Sequence, residues 1–201
     1  SHLLLDLVDD RTEGLADLVA AHRRHDAERT RVVAPDLDRH PREVAHLAAR
    51  RECTREQVTV VEDGCLEDLG DRTLSPRLFE QVDGVLAVES GYSNGQTQRP
   101  SYEQVCTGTT GHNEVVKLEY DPAQISVREI LEIFFIIHDP TTLNRQGNDT
   151  GTQYRSGIYY TTPEQKDEAE AMIRQMSQEK LFGRPIVTEV LPLDNYWPAE
   201  E

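Results

Sequence analysis

Strand and helix patterns alternate along residues 58–191, and this alternation restricts the possible folds more than any other feature of the sequence. Glu114–Tyr120 places apolar side chains at every second position, which is typical of a strand with one buried face. Val58–Val61 is a β-branched run that also predicts a strand. Pro163–Glu179 has the spacing of an amphipathic helix. Strands mixed with helices in this way predict an α+β or α/β sandwich.

The other elements are predicted from caps, turn residues and apolar spacing. Further strands are predicted at Val85–Val88, Ser156–Tyr160 and Ile186–Leu191. One helix is predicted to open at Ser75–Pro76, with Ser75 as its N-cap, and another to follow the cap residue Ser126. Loops are predicted where Gly, Pro, Asn and Thr are frequent, at Gly91–Pro100 and Asp139–Gly151.

Residues 1–57 differ from the rest of the chain. Helical spacing of Leu15, Leu18 and Val19 predicts one helix there, and Pro41 is suited to the first turn of a second helix. We interpret this segment as a helical N-terminal extension of unknown role. Residues 58–201 are predicted to form the main domain.

The charge of the chain argues against several classes of partner. The formal net charge is −16, of which residues 1–57 carry −2 and residues 58–201 the remaining −14. Such a surface repels the phosphates of nucleic acids and of anionic lipids, so we expect neither nucleic acid nor membrane as a partner. No stretch approaches the roughly 18 apolar residues of a membrane helix, and Ser1–Asp10 lacks a signal-peptide pattern. We therefore expect a cytoplasmic protein.

The cysteines of the chain are Cys53, Cys65 and Cys106. An odd and low count argues against a disulfide scaffold and fits a reducing compartment. In such a compartment a thiol is available as a nucleophile. Cys106 is interpreted as a small buried hydrophobic residue.

Several ordered blocks between Gly84 and the end of the chain resemble the A-type peptide methionine sulfoxide reductase family. The main blocks are Ser90–Gly95, Pro100–Gly108, Thr110–Val116, His138–Asp149 and Gly151–Ser156, and Pro185–Glu189 and Pro198–Glu201 fit the C-terminal part of the family. The resemblance implies an α/β sandwich with a mixed central sheet flanked by helices. It also implies an oxidoreductase that reduces the S-epimer of methionine sulfoxide, without a metal or an organic cofactor.

The family's chemistry gives a role to individual residues of this sequence. A thiolate attacks the sulfoxide sulfur, and an acid protonates the departing oxygen. The resemblance implies that Glu114 is this acid and that the hydroxyls of Tyr102 and Tyr154 hold the oxygen. Asp149 matches a carboxylate that positions water or substrate. Three further residues of these blocks are interpreted as structural supports: His112, His138 and Arg155.

The nucleophile position is open between two residues. The family reads Gly-Cys-Phe-Trp-Gly there, whereas Gly64–Asp68 reads Gly-Cys-Leu-Glu-Asp. Counting forward from the strand Val58–Val61 places Cys65 at the position of the family's cysteine. Counting back from Gly84 without gaps places Asp71 there instead. We interpret Cys65 as the nucleophile and keep Asp71 as its rival.

Two functions follow from these alternatives. With Cys65 in place, the chain performs thiol-dependent reduction of methionine sulfoxide, free or in peptides, with thioredoxin or a small thiol as reductant. No cysteine follows Cys106 in the sequence, so Cys53 is the expected partner of Cys65 if a resolving thiol is used. With Asp71 in place, the chain is a repurposed or inactive family member. The pocket would then serve acid–base chemistry or binding, with five residues: Asp71, Glu114, Asp149, Tyr102 and Tyr154.

Overall fold

A mixed sheet organises residues 55–61 and 74–200, the part of the chain that the computed structural model describes. The strands are β1 Glu56–Val61, β2 Val85–Ser93, β3 Asn113–Tyr120, β4 Arg145–Gln146, β5 Asp149–Thr150, β6 Gly157–Tyr160, β7 Glu189–Pro192 and β8 Tyr196–Pro198. The helices are α1 Leu74–Phe79, α2 Tyr102–Cys106, α3 Val127–Ile137 and α4 Pro163–Glu179, with a 3-10 turn at Thr152–Tyr154. These residues belong to one compact unit that begins at Arg55.

Within the described residues the central sheet has the strand order β7-β6-β1-β3-β2-β8. The pairings of β3 with β1 and with β2 are antiparallel, as are those of β1 with β6 and of β2 with β8. Only the pair β6 and β7 is parallel among these strands. β4 and β5 form a separate antiparallel hairpin. The mixed sheet with its helices confirms the predicted α+β class.

The core lies on the sheet face that receives alternate side chains of β1, β3 and β6. Val60 is opposite both Val116 and Ile158, and all three side chains are fully buried. Burying a side chain of this size stabilises the fold by about 1.5–3 kcal/mol. The buried residues of the two long helices recur at helical spacing: Ile130, Leu131, Phe134 and Phe135 in α3, and Ala169, Met172 and Met176 in α4.

Helices α3 and α4 are also joined by a charged contact. Nη1 of Arg128 lies 2.7 Å from Oε1 of Glu168, with both side chains partly shielded from water. A capping box starts α3, because Ser126 accepts the backbone N–H of Glu129 while the Glu129 carboxylate accepts the N–H of Ser126. The predicted cap is therefore confirmed.

Some element bounds differ from the sequence predictions. α1 begins at Leu74, so Ser75 lies inside the helix rather than at its N-cap. Pro76 remains in the first turn, where a residue without an N–H is tolerated. β2 continues to Ser93 into the predicted loop, because β3 and β8 pair with its two edges. The helix α2 and the strand β8 were not predicted.

Replacing Ser126 by Ala should lower the free energy of unfolding by about 1 kcal/mol, because the first turn of α3 loses its capping acceptor. Urea denaturation measures this change. Ser177→Ala, at an exposed position within α4, is the matched control and should stay within about 0.5 kcal/mol of the unmodified protein. Equal stabilities of the two variants would contradict the role of the cap.

Candidate active site

Glu114 lies at the start of β3, directly opposite Tyr92 of β2. The side chain of Glu114 is half-buried, and its Oε1 is shielded from solvent. Tyr92 is 4% exposed. Burial, followed by the negative charges of Glu200 and Glu114, raises the pKa of Tyr92 above its ordinary value. A partly buried carboxyl group and a buried phenol therefore face each other at this end of the sheet.

Tyr154 and Asp149 reach the same region from the hairpin and the 3-10 turn that follow α3. Burial, followed by the negative charges of Glu114 and Asp149, raises the pKa of Tyr154 above its ordinary value. Charges have such effects only at short range. The structure thus brings Glu114, Asp149 and Tyr154 into one neighbourhood.

The hairpin that carries Asp149 is built around a buried side chain. Gln146 is fully buried, and it pairs with Asp149 across the hairpin. Its Oε1 accepts the N–H of Asp139 at 3.3 Å, and its Nε2 donates to the carbonyl of Asp139 at 3.0 Å. The side-chain amide of Gln146 therefore joins the two ends of the loop between Asp139 and Gln146. The sequence predicted an irregular loop here, because a two-residue strand has too few residues to show a period.

Tyr102 is the first residue of α2 and is 57% exposed. Its backbone N–H donates to Oε2 of Glu200 at 3.2 Å, and the hydroxyl of Tyr92 donates to the same oxygen at 3.4 Å. Glu200 therefore joins Tyr102 to the neighbourhood of Glu114. Neither Tyr92 nor Glu200 has a role predicted from the sequence, although both lie inside blocks that carry the family resemblance.

Cys106 ends α2 and is exposed. The prediction that it is a small buried hydrophobic residue is therefore wrong. It follows the buried Val105 on a helix of only five residues, so the two side chains point in different directions. Cys106 also contributes to the raised pKa of Tyr92 and of Tyr154, after the larger causes. Its side chain consequently lies near the candidate site.

The remaining candidates lie outside the described residues. These are Cys65 and its rival Asp71, together with Cys53. In the described part of the chain, no group of three or more His, Cys, Asp or Glu side chains is arranged to hold a metal ion. No described helix has the length and apolarity needed to cross a bilayer.

His138, one of the predicted supports, is a buried link between elements. Its Nδ1 lies 2.7 Å from the carbonyl of Phe134, and its Nε2 lies 2.8 Å from Oγ of Ser156. Because a carbonyl can only accept, Nδ1 carries the proton and Nε2 accepts the hydroxyl of Ser156. Oγ of Ser156 is in turn 2.7 Å from Oγ1 of Thr188. Burial lowers the pKa of His138 to about 4.

The other two predicted supports, His112 and Arg155, are close in sequence to Glu114 and Tyr154. His112 is 1% exposed, and a Cβ placed on Gly95 would overlap its ring. This close approach explains the glycine, and burial lowers the pKa of His112. Arg155 follows Tyr154 and donates from Nη1 to the carbonyl of Thr152 at 2.9 Å. Its guanidinium therefore fixes the 3-10 turn that carries Tyr154.

The comparisons with known proteins agree on one family. A family model described as peptide methionine sulfoxide reductase matches residues 75–201. The peptide methionine sulfoxide reductase MsrA of Saccharolobus solfataricus is 56% identical over 124 residues, which are 62% of this chain and 69% of the relative. The match to the family model begins at Ser75, after both Cys65 and Asp71.

Two solved structures share the fold. Methionine sulfoxide reductase A of Corynebacterium diphtheriae superposes with a TM-score of 0.60 at 36% identity, and the match covers 73% of this chain and 70% of that chain. Mxr1 of Saccharomyces cerevisiae in its reduced form gives a TM-score of 0.64 at 32% identity, and the match covers 75% of this chain and 82% of that chain.

The neutral state of His138 makes stability depend on pH. Its pKa is about 4 in the folded protein against an ordinary value of 6.5, so the unfolded chain binds more protons between these values. The resulting stability is present above pH 6.5 and should fall by about 3 kcal/mol as the pH drops to 4. Urea denaturation at several pH values measures this change.

The variant His138→Gln removes this contribution, and among the neighbouring carboxyl groups it alters the surroundings of Asp139, whose pKa His138 helps to lower after larger causes. The difference in unfolding free energy between pH 7 and pH 4 should be smaller in the variant. The same pH dependence in both proteins would show that His138 is not held neutral by burial.

Proposed function

Because the chain belongs to the peptide methionine sulfoxide reductase family, we propose that it reduces methionine sulfoxide at the site around Glu114. The carboxyl group of Glu114 donates a proton to the sulfoxide oxygen. The hydroxyls of Tyr102 and Tyr154 hold this oxygen, and Asp149 positions water or substrate beside it. Cys65 supplies the sulfur nucleophile.

One observation carries this proposal: the charges of Glu114 and Asp149 act together on the phenol of Tyr154. Protonation of a departing oxygen requires an acid close to a hydrogen-bond donor that binds the same atom. Oε1 of Glu114 is shielded from solvent, so bulk water does not contact this oxygen. The neighbourhood thus contains a carboxyl group that can protonate the oxygen atom and a phenol that can donate a hydrogen bond to it.

The protonation state of the Tyr154 phenol suits hydrogen bonding to the sulfoxide oxygen. Burial and two nearby carboxylates raise its pKa above the ordinary value for tyrosine. The hydroxyl therefore keeps its proton throughout the neutral and mildly alkaline range. A phenol that stays protonated can donate a hydrogen bond to the sulfoxide oxygen, and this bond strengthens as negative charge develops there.

The proposed reaction has two steps. The Cys65 thiolate attacks the sulfoxide sulfur and forms an S–S bond, while the oxygen takes an electron pair from its bond to sulfur and a proton from Glu114. The hydroxyl group then passes to the sulfur of Cys65 as the S–S bond and the remaining S–O bond break, which leaves methionine and a sulfenic acid on Cys65. Two thiol groups of a reductant then return the sulfenic acid to the thiol, forming one disulfide and one water molecule.

The partners and the setting are parts of the same proposal. The substrate is methionine sulfoxide, free or in a peptide, and the reductant is thioredoxin or a small thiol. We keep a cytoplasmic location, and the division into an N-terminal extension over residues 1–57 and a reductase domain over residues 58–201, as predictions.

Replacement of Cys65 by Ser should abolish reduction of a methionine sulfoxide peptide by dithiothreitol, because a hydroxyl cannot carry the oxygen through a sulfenic acid. Methionine formed per minute, followed by chromatography, is the readout. Cys106→Ser and Asp71→Asn are the matched controls and should keep the activity. An active Cys65→Ser would refute the proposed reaction. An unmodified protein that reduces no sulfoxide would refute it as well and would favour the repurposed site.

Replacement of Glu114 by Gln should lower kcat by about 10²–10⁴-fold, since the amide cannot donate an acidic proton. Steady-state kinetics with the same peptide measures the loss. Glu119→Gln changes another carboxylate of β3, which pairs with Arg55 at 3.5 Å, and should leave kcat within a factor of two. Full activity of Glu114→Gln would remove Glu114 from the mechanism.

A further inference from the structure

Four residues next to the site, Asn113, Arg155, Tyr159 and Glu189, form a closed ring of hydrogen bonds. Nδ2 of Asn113 donates to the carbonyl of Arg155 at 2.8 Å and to the hydroxyl of Tyr159 at 3.0 Å. The hydroxyl of Tyr159 donates to Oε1 of Glu189 at 2.6 Å. The same carboxylate oxygen accepts Nε–H of Arg155 at 2.9 Å. The ring therefore returns to the residue at which it began.

The orientation of each member follows from its partners. The carbonyl of Arg155 can only accept, so the amide of Asn113 must present its NH₂ group to it. Tyr159 then accepts from Asn113 and donates to Glu189. Asn113 and Tyr159 are fully buried. A buried donor without its partner is destabilising, so this arrangement is strongly favoured over any in which the ring is open.

The ring joins the two chain segments that carry the proposed proton donor and the proposed oxygen-binding phenol. Asn113 immediately precedes Glu114 on β3, and Arg155 immediately follows Tyr154. These residues are 42 positions apart in sequence, and the bond from Asn113 to the Arg155 carbonyl connects them directly. The Arg155 guanidinium adds a second link, from Nη2 to the carbonyl of Gly111 at 3.3 Å.

We propose that this ring sets the distance between Glu114 and Tyr154, and that Asn113 is its central positioning residue. The inference rests on the function proposed above. Glu114 and Tyr154 must reach the same oxygen atom, one as acid and the other as hydrogen-bond donor. A shift of about 1 Å between such groups can reduce the rate 10²-fold. Asn113 thus acts through its neighbours without contacting the substrate.

The variant Asn113→Asp keeps the size of the side chain and replaces both N–H donors by a carboxyl group, which has no donor when it is ionised. We expect kcat to fall at least 10-fold, while KM stays within about 2-fold, since alignment rather than substrate binding is lost. Ser93→Ala is the matched control. Ser93 is paired with Asn113 across β2 and β3 and is equally buried, so this variant should keep kcat. Tyr159→Phe opens the ring at another point and should lower kcat in the same direction.

A double-mutant comparison separates positioning from general destabilisation. If Asn113 acts by aligning Tyr154, then Asn113→Asp should reduce kcat less than 2-fold in a Tyr154→Phe background. The same 10-fold loss in both backgrounds would overturn the proposal. So would an unchanged kcat in both Asn113→Asp and Tyr159→Phe.

Hydrogen exchange tests the ring without any assay of activity. The N–H of Tyr154 donates to the carbonyl of Gly151 at 3.0 Å within the 3-10 turn. In the full-length Asn113→Asp and Tyr159→Phe proteins, this amide should exchange faster than in the Ser93→Ala control. Equal exchange in all three would refute the ring's positioning role. Faster exchange in a protein whose unmodified form reduces no sulfoxide would support the ring and reject the proposed function.

Discussion

The double pairing of β3 with β1 and β2 is the interaction on which the rest of the described fold depends. β3 pairs with β2 along Asn113–Tyr120 and with β1 along Val115–Tyr120. Because side chains alternate across a strand, Glu114 lies on the same face as Val116 and Leu118, which are fully buried. The acid consequently stands at the end of an apolar row, and its half-buried state follows from the register of the sheet.

Short polar links then bring distant segments to this end of the sheet. Glu200 reaches Tyr92 and Tyr102 over a sequence separation of 108 and 98 residues. The ring through Asn113 does the same for the turn that carries Tyr154. The links from Tyr92 and Asn113 use side-chain donors that are buried and would be unsatisfied without their partners. The site is therefore held by groups that do not take part in the proposed chemistry.

The predictable part of the structure is the part whose signals are local. The cap of α3 at Ser126 and the bounds of α4 at Pro163–Glu179 agree with prediction, because each depends on residues only a few positions apart. β8 contains three residues and exists through its pairing with Gly91–Ser93, more than 100 positions away. No local pattern could reveal it.

The residues of the candidate site also fall into those that the sequence predicts and those that depend on distant partners. The family blocks led to Glu114, Asp149 and Tyr154, and the structure brings these residues together. Neither Tyr92 nor Asn113 could be assigned a role, since their importance comes from partners in other elements. The exposure of Cys106 was also unpredictable, because it depends on the direction in which a five-residue helix faces.

The central claim is that this family member transfers the sulfoxide oxygen to the sulfur of Cys65. The most direct test is a single turnover without reductant, in which the protein is mixed with a methionine sulfoxide peptide and then with a reagent that traps sulfenic acids. Peptide mapping by mass spectrometry locates the trapped group. The account predicts one equivalent of methionine and a label on Cys65. A label on Cys106 instead, or the absence of both methionine and label, would contradict it.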